Sequence, residues 1–211
     1  MKHTFFFLVL LATLVSACSP SQKVTSYWVN KEAIPKEPFK TIYIIAITQN
    51  ENMKPAVENE LADVLVSRGH KVALNSQIYP PSFSAVKQLT KEQLVETIAK
   101  TGSEAVLTLA VLDTKTETSY NQGSSYAPMS YGYNRSYYGY YNYYYPVVYS
   151  PGYYTTNKTF YIETNFYDVE TDQLLWSIQS QAYNPDNFDR MFKEYTRTIL
   201  MKLREEGLIK K

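Results

Sequence analysis

Residues 39–48 read FKTIYIIAIT. The stretch is β-branched and nearly all apolar, the composition of a strand that hides both of its faces. Residues 105–112, AVLTLAVL, repeat the pattern and give a second strand of the same kind. Helical periods lie between the two. Asn52 stands where it can cap a helix with Pro55 in its first turn. Met53, Val57, Leu61, Val64 and Leu65 then recur at helical spacing, and Gly69 stops the run. Val72-Ala73-Leu74 reads as a short strand, and Tyr79-Pro80-Pro81 as a rigid, extended connection. Thr90 and Gln93 form a capping-box pair. The helix they open carries Leu94, Val95 and Ile98 and stops near Gly102. Helices alternating with strands in this way predict a sheet with helices packed on it.

Toward the carboxyl end, residues 159–181 read TFYIETNFYDVETDQLLWSIQSQ. Phe160, Ile162, Thr164 and Phe166 alternate with Tyr161, Glu163, Asn165 and Tyr167. A turn follows at Asp168-Val169-Glu170-Thr171-Asp172, and Leu174, Trp176 and Ile178 define one face of a returning strand. The pattern predicts an antiparallel hairpin. Phe188, Met191, Phe192, Tyr195, Ile199 and Leu203 then mark an amphipathic helix that ends at Gly207. Between Tyr120 and Tyr154 lie fourteen of the chain's 21 tyrosines, mixed with Gly, Ser, Asn and Pro. No helical or strand period is legible there, and the segment reads as low-complexity.

Composition sets the bounds. The chain has 211 residues, 45% hydrophobic and 19% charged, enough for one domain with a real core. Twenty-one Lys and Arg face 20 Asp and Glu, so no basic field supports nucleic-acid binding. One Cys excludes a disulfide framework within a single chain.

The amino terminus adds a destination. Met1-Lys2-His3 precedes an apolar run from Phe5 to Val15, the pattern of a secretory signal. The run is shorter than the roughly 20 residues of a membrane-spanning helix. It ends Val15-Ser16-Ala17-Cys18, which resembles the lipobox of bacterial lipoproteins. That resemblance implies a signal peptide over residues 1–17, acylation of Cys18, and a bacterial envelope location. Ser19, rather than Asp, implies the outer membrane. Each buried methylene contributes about 0.8 kcal/mol, so several acyl chains hold a protein to a bilayer. Residues 18–38 are polar and proline-punctuated and read as a tether, with room for a short strand at Tyr27-Trp28-Val29.

A strand–helix–strand half, a Tyr/Gly-rich insertion, a hairpin reading FYDVETDQLLWS and a closing helix together resemble a family of bacterial envelope lipoproteins of unknown function. In that family the hairpin runs from an apolar stretch through Asp and a Thr-Gly turn to Leu and Trp. Asp168, Thr171, Leu174 and Trp176 match, and Asp172 stands where Gly is usual. More distantly the order of elements resembles curli-type secretion lipoproteins and penicillin-binding-protein activator lipoproteins. The resemblance implies action by assembly or protein contact, or as a subunit of an oligomeric secretion pore.

Candidate chemistry is sparse. His70 is the one His left after removal of residues 1–17, and its place beside Gly69 predicts an exposed loop residue. With no second His and no free Cys, no metal site is expected. No phosphate loop or nucleophile elbow is present. Glu58/Glu60 and Asp168/Glu170/Asp172 read as solvated carboxylates, one pair on the polar side of a helix and the others in a turn. No cofactor and no catalysis are expected.

The tract Tyr137, Tyr138, Tyr140, Tyr141, Tyr143, Tyr144 and Tyr145 is the unusual feature. It is expected either as a loosely folded loop or as a contact surface for an envelope protein or glycan; insertion into a membrane is a further reading. The expected fold is α/β or α+β: one domain over residues 39–211, a mixed sheet of about five strands, and a Tyr-rich insertion at 119–157. The expected function is that of a non-enzymatic, membrane-anchored binding or assembly module.

Overall fold

A computed structural model describes residues 22–80, 88–116, 136–149, 158–183 and 188–210. The elements in order are β1 (Gln22–Val29), β2 (Thr41–Ile47), α1 (Met53–Ser67), β3 (Lys71–Leu74), α2 (Asn75–Ile78), α3 (Lys91–Thr101), β4 (Ala105–Thr116), α4 (Tyr137–Tyr149), β5 (Lys158–Asp168), β6 (Leu174–Tyr183) and α5 (Phe188–Glu205). The strands form one mixed sheet in the order β1-β6-β5-β4-β2-β3. β2 runs parallel to β3 and β4, and β4, β5, β6 and β1 then pair antiparallel.

The two apolar strands sit where their composition demands. β2 is buried from Ile42 to Ile47, and β4 from Ala105 to Ala110. One face of the sheet presents Ile42, Ile44, Leu107, Leu109 and Trp176 to α1 and α5. The other presents Tyr43, Ile45, Val106 and Tyr167 to α3 and α4. The result is three layers, helices on both faces of an open sheet.

Local signals account for the element ends. Thr90 Oγ1 accepts from Gln93 N while Gln93 Oε1 accepts from Thr90 N, so α3 has its capping box. Gly102 ends α3 with φ +63°, and Gly69 and Gly207 follow α1 and α5 with φ +78° each, a region where only glycine is free of strain. The start of α1 differs from expectation. Asn52 makes no side-chain cap; Asn50 Oδ1 accepts from Asn52 N instead.

Three corrections concern whole elements. The sheet has six strands because the segment expected as a tether supplies β1 from Gln22 onward. There the Tyr27 and Trp176 rings pack nearly at right angles with centroids 6.0 Å apart, and Val29 packs against the core. α2 precedes the connection at Tyr79. The Tyr tract contains α4, a 13-residue helix, where no period had been expected.

Trp176 is fully buried and bridges β1 to the main core. Trp176→Ala is expected to cost about 3–5 kcal/mol of unfolding free energy, read by denaturant titration. A loss below about 1 kcal/mol would contradict this packing.

Candidate functional site

The Tyr helix holds to the sheet by alternating its contacts. Tyr137, Tyr140, Tyr141 and Tyr144 are buried, at i, i+3, i+4 and i+7. Gly139 and Pro146 both disfavour a helix, so packing supplies what propensity does not. Ser136 Oγ accepts from Gly139 N at 2.9 Å and satisfies one free donor of the first turn. Asp172 Oδ1 accepts from Tyr137 N at 3.2 Å. Asp172 has φ +53°, which explains why a glycine would suit the turn. Its carboxylate in addition meets the positive end of α4. Burial raises the Asp172 carboxyl above the usual aspartate range, and the Tyr137 N–H opposes that shift.

Beside the apolar β2 and β4, the part of the sheet under α4 that β5 and β6 supply is polar. Glu163 on β5 is fully buried, with Thr108, Asn165, Ser177 and Gln179 around it on the same face. Its carboxylate accepts from Tyr144 Oη at 2.9 Å, Gln179 Nε2 at 2.6 Å and Asn165 Nδ2 at 3.0 Å. Tyr140 Oη donates to the Glu163 carbonyl at 3.3 Å. Burial raises the phenols of Tyr140, Tyr141 and Tyr167 well above their ordinary value. The arrangement is a buried carboxylate paired to donors, as its desolvation requires.

The outward side of α4 carries Tyr138, Asn142, Tyr143 and Tyr145. Tyr143 is exposed; Tyr138 and Tyr145 are half-buried. Gln88 Nε2 donates to Asn142 Oδ1 at 2.8 Å, and Lys91 Nζ lies 5.9 Å from the Tyr138 ring centroid. Tyr141 Oη accepts from Leu89 N at 3.1 Å and ties this side to the start of α3. Of the seven tyrosines expected as a contact surface, four therefore face the core. Tyr138, Tyr143 and Tyr145 remain toward solvent.

Other singled-out residues fall apart spatially. Glu58 is fully buried rather than on a polar helix side. Its oxygens accept from Ala46 N at 3.0 Å and Ser76 N at 2.7 Å, joining α1 to β2 and α2. Glu60 lies on the wall of a shallow cleft of about 210 Å³ between α1 and α5, apart from those bonds. His70 is 4% exposed rather than a free loop residue, and its Nε2 accepts from Lys210 N at 3.1 Å. Burial lowers the imidazole's proton affinity. Asp168 Oδ1 accepts from Thr171 N within the turn, and Glu170 is exposed. Among the described residues no group of three or more His, Cys, Asp or Glu could hold a metal ion. No helix among them is long and apolar enough to cross a membrane. Cys18 lies outside the described residues.

No protein-family model matches the chain, and no curated protein is significantly similar to it. Solved structures that are similar include the PelC dodecamer from Paraburkholderia phytofirmans, at TM-score 0.44 and 12% identity over 90% of this chain and 97% of that one. Lipoprotein GNA1162 from Neisseria meningitidis is similar at TM-score 0.40 and 11% identity, over 78% and 98% of the two chains. The hypothetical protein CT253 from Chlamydia trachomatis is similar at TM-score 0.38 and 12% identity, over 82% and 97%. These are distant similarities of shape, from which no activity follows.

Two measurements check the site. Tyr140→Ala should cost about 3–5 kcal/mol, while Tyr143→Ala should change stability by less than about 0.5 kcal/mol; equal losses would contradict the assignment of inner and outer faces. Burial also raises the Glu58 carboxyl above its ordinary value of 4.5, against the pull of its two backbone donors. A raised carboxyl holds its proton more firmly folded than unfolded, so its contribution is present at low pH and fades as pH rises through the raised value. The stability of the wild type relative to Glu58→Gln should thus fall from about pH 4.5 upward. A fixed penalty from the new amide shifts that difference without tilting it. A difference that grows with pH would reverse the assignment.

Proposed function

We propose that the chain is a lipid-anchored lipoprotein of the bacterial cell envelope that acts by binding rather than catalysis. Acyl chains on Cys18 hold the domain at the periplasmic leaflet of the outer membrane. The outward side of α4 meets an envelope protein. The observation that carries the reading is the run Val15-Ser16-Ala17-Cys18 after the apolar segment from Phe5. It supplies both an export signal and an acyl acceptor. Support for the contact surface comes from α4: four buried rings fix the helix, so Tyr138, Tyr143 and Tyr145 stand on a rigid base. A ring held in place loses little entropy on binding and offers apolar area together with a hydroxyl.

Replacing the acceptor tests the anchor. Cys18→Ser should accumulate as an uncleaved precursor that takes up no labelled fatty acid in cells. Efficient labelling of that variant would sink the assignment. A photo-crosslinking residue in place of Tyr143 should trap a discrete protein adduct in intact cells, and one in place of Val66 should not. Adducts of equal yield at both positions would remove α4 as the contact surface.

A further inference from the structure

The place where the fold begins sets how the domain sits. Gln22, the first residue of β1, is separated from Cys18 by Ser19, Pro20 and Ser21 alone. Fully extended, the four steps from Cys18 to Gln22 span at most about 14 Å. β1 is no loose arm. It pairs along its length with β6, from Gln22 opposite Ala182 to Val29 opposite Trp176. Asn30 N donates to the Leu175 carbonyl just beyond.

Register carries this across the sheet. Ala182 stands opposite Phe160, Tyr183 opposite Thr159, and Lys158 opposite Thr116. Gln22, Tyr183, Lys158 and Thr116 therefore share one end of the strands. The turn between Asp168 and Leu174 lies at the other end, with Val29. β5 has 11 residues, so the two ends are about 34 Å apart at the usual rise per residue.

We infer that the sheet stands on the bilayer by the end holding Gln22, Thr116, Lys158 and Tyr183, with the Asp168–Leu174 turn pointing away. The inference rests on acylation of Cys18 and names the lipid surface as the partner of that end. β1 leads away from the anchor along its own axis, so the short leash draws this end in and leaves the turn distal. The chain leaves β4 at Thr116 and enters β5 at Lys158, which roots the Tyr-rich insertion on the bilayer side. α4 starts at the distal end, where Asp172 receives Tyr137 N, and descends past Glu163 through Tyr144. Tyr143 and Tyr145 are thereby carried closer to the lipid than Tyr138.

The test uses the full-length acylated protein in vesicles of phosphatidylethanolamine and phosphatidylglycerol that contain a headgroup nitroxide lipid. Because Cys18 is consumed by the thioether, Lys23→Cys and Glu170→Cys each offer one site for a fluorophore, and both positions are exposed. Quenching at position 23 should exceed that at position 170 several-fold. Equal quenching, as for a domain lying flat, or the reverse order overturns the inference. A Gly/Ser insert of about twenty residues after Ser21 adds roughly 25 Å of reach and should abolish the contrast. A contrast that survives the insert overturns the inference too, since the short leash is its cause. Mass spectrometry of the amino terminus separates the two levels: an unmodified Cys18 removes the anchor itself, whereas an acylated Cys18 with equal quenching removes only the orientation.

Discussion

Strands β2 and β4 have almost no polar face, and the rest of the molecule answers that constraint. From Ile42 to Ile47 every side chain is buried, and so is each one from Ala105 to Ala110. Each strand therefore needs a layer above and a layer below. α1 and α5 form one, and α3 and α4 the other. The hydrophobic requirement reaches as far as the Tyr tract. A helix with poor intrinsic preference forms there because the sheet beside β4 and β5 would otherwise lie open.

Burial of polar groups follows from the same layering. Glu163 and Glu58 are both inaccessible, yet each is surrounded by donors. A buried carboxylate without partners is strongly unfavourable, while one with several is tolerated and fixes geometry. Glu58 ties the end of β2 to α2, and Glu163 ties α4 to β5 and β6. On the opposite face Thr164 Oγ1 and Tyr195 Oη lie 2.6 Å apart and join β5 to α5 in the same way. These bonds specify which helix lies where, a task that interchangeable apolar contacts perform less well.

Much of this was legible in the residues. Uniformly apolar strands, the Thr90–Gln93 pair, the three glycines that close helices and the alternation across the hairpin are local signals, and local physics decided them. What stayed hidden depended on other signals. The alternation in β1 is interrupted between Val24 and Ser26, where the register shifts by a bulge. In α4 both sides carry tyrosine, so the buried stripe has no contrast with its surroundings even though its spacing is helical. Glu58 has the charge of a surface residue and the position of a core one, and His70 is closed over by residues 140 positions later. Of the candidate surface, the chemistry was readable and the orientation was not, because which tyrosines face outward depends on the docked helix.

The edge strand has a consequence for the order of events. β1 is the earliest described segment of the chain, yet its partner β6 is among the last; the residue opposite Gln22 is Ala182. Such a long-range pairing waits until nearly the whole polypeptide is present. Until β6 arrives, β1 has no partner strand, and its open N–H and C=O groups are closed only when this last ladder completes the edge of the sheet.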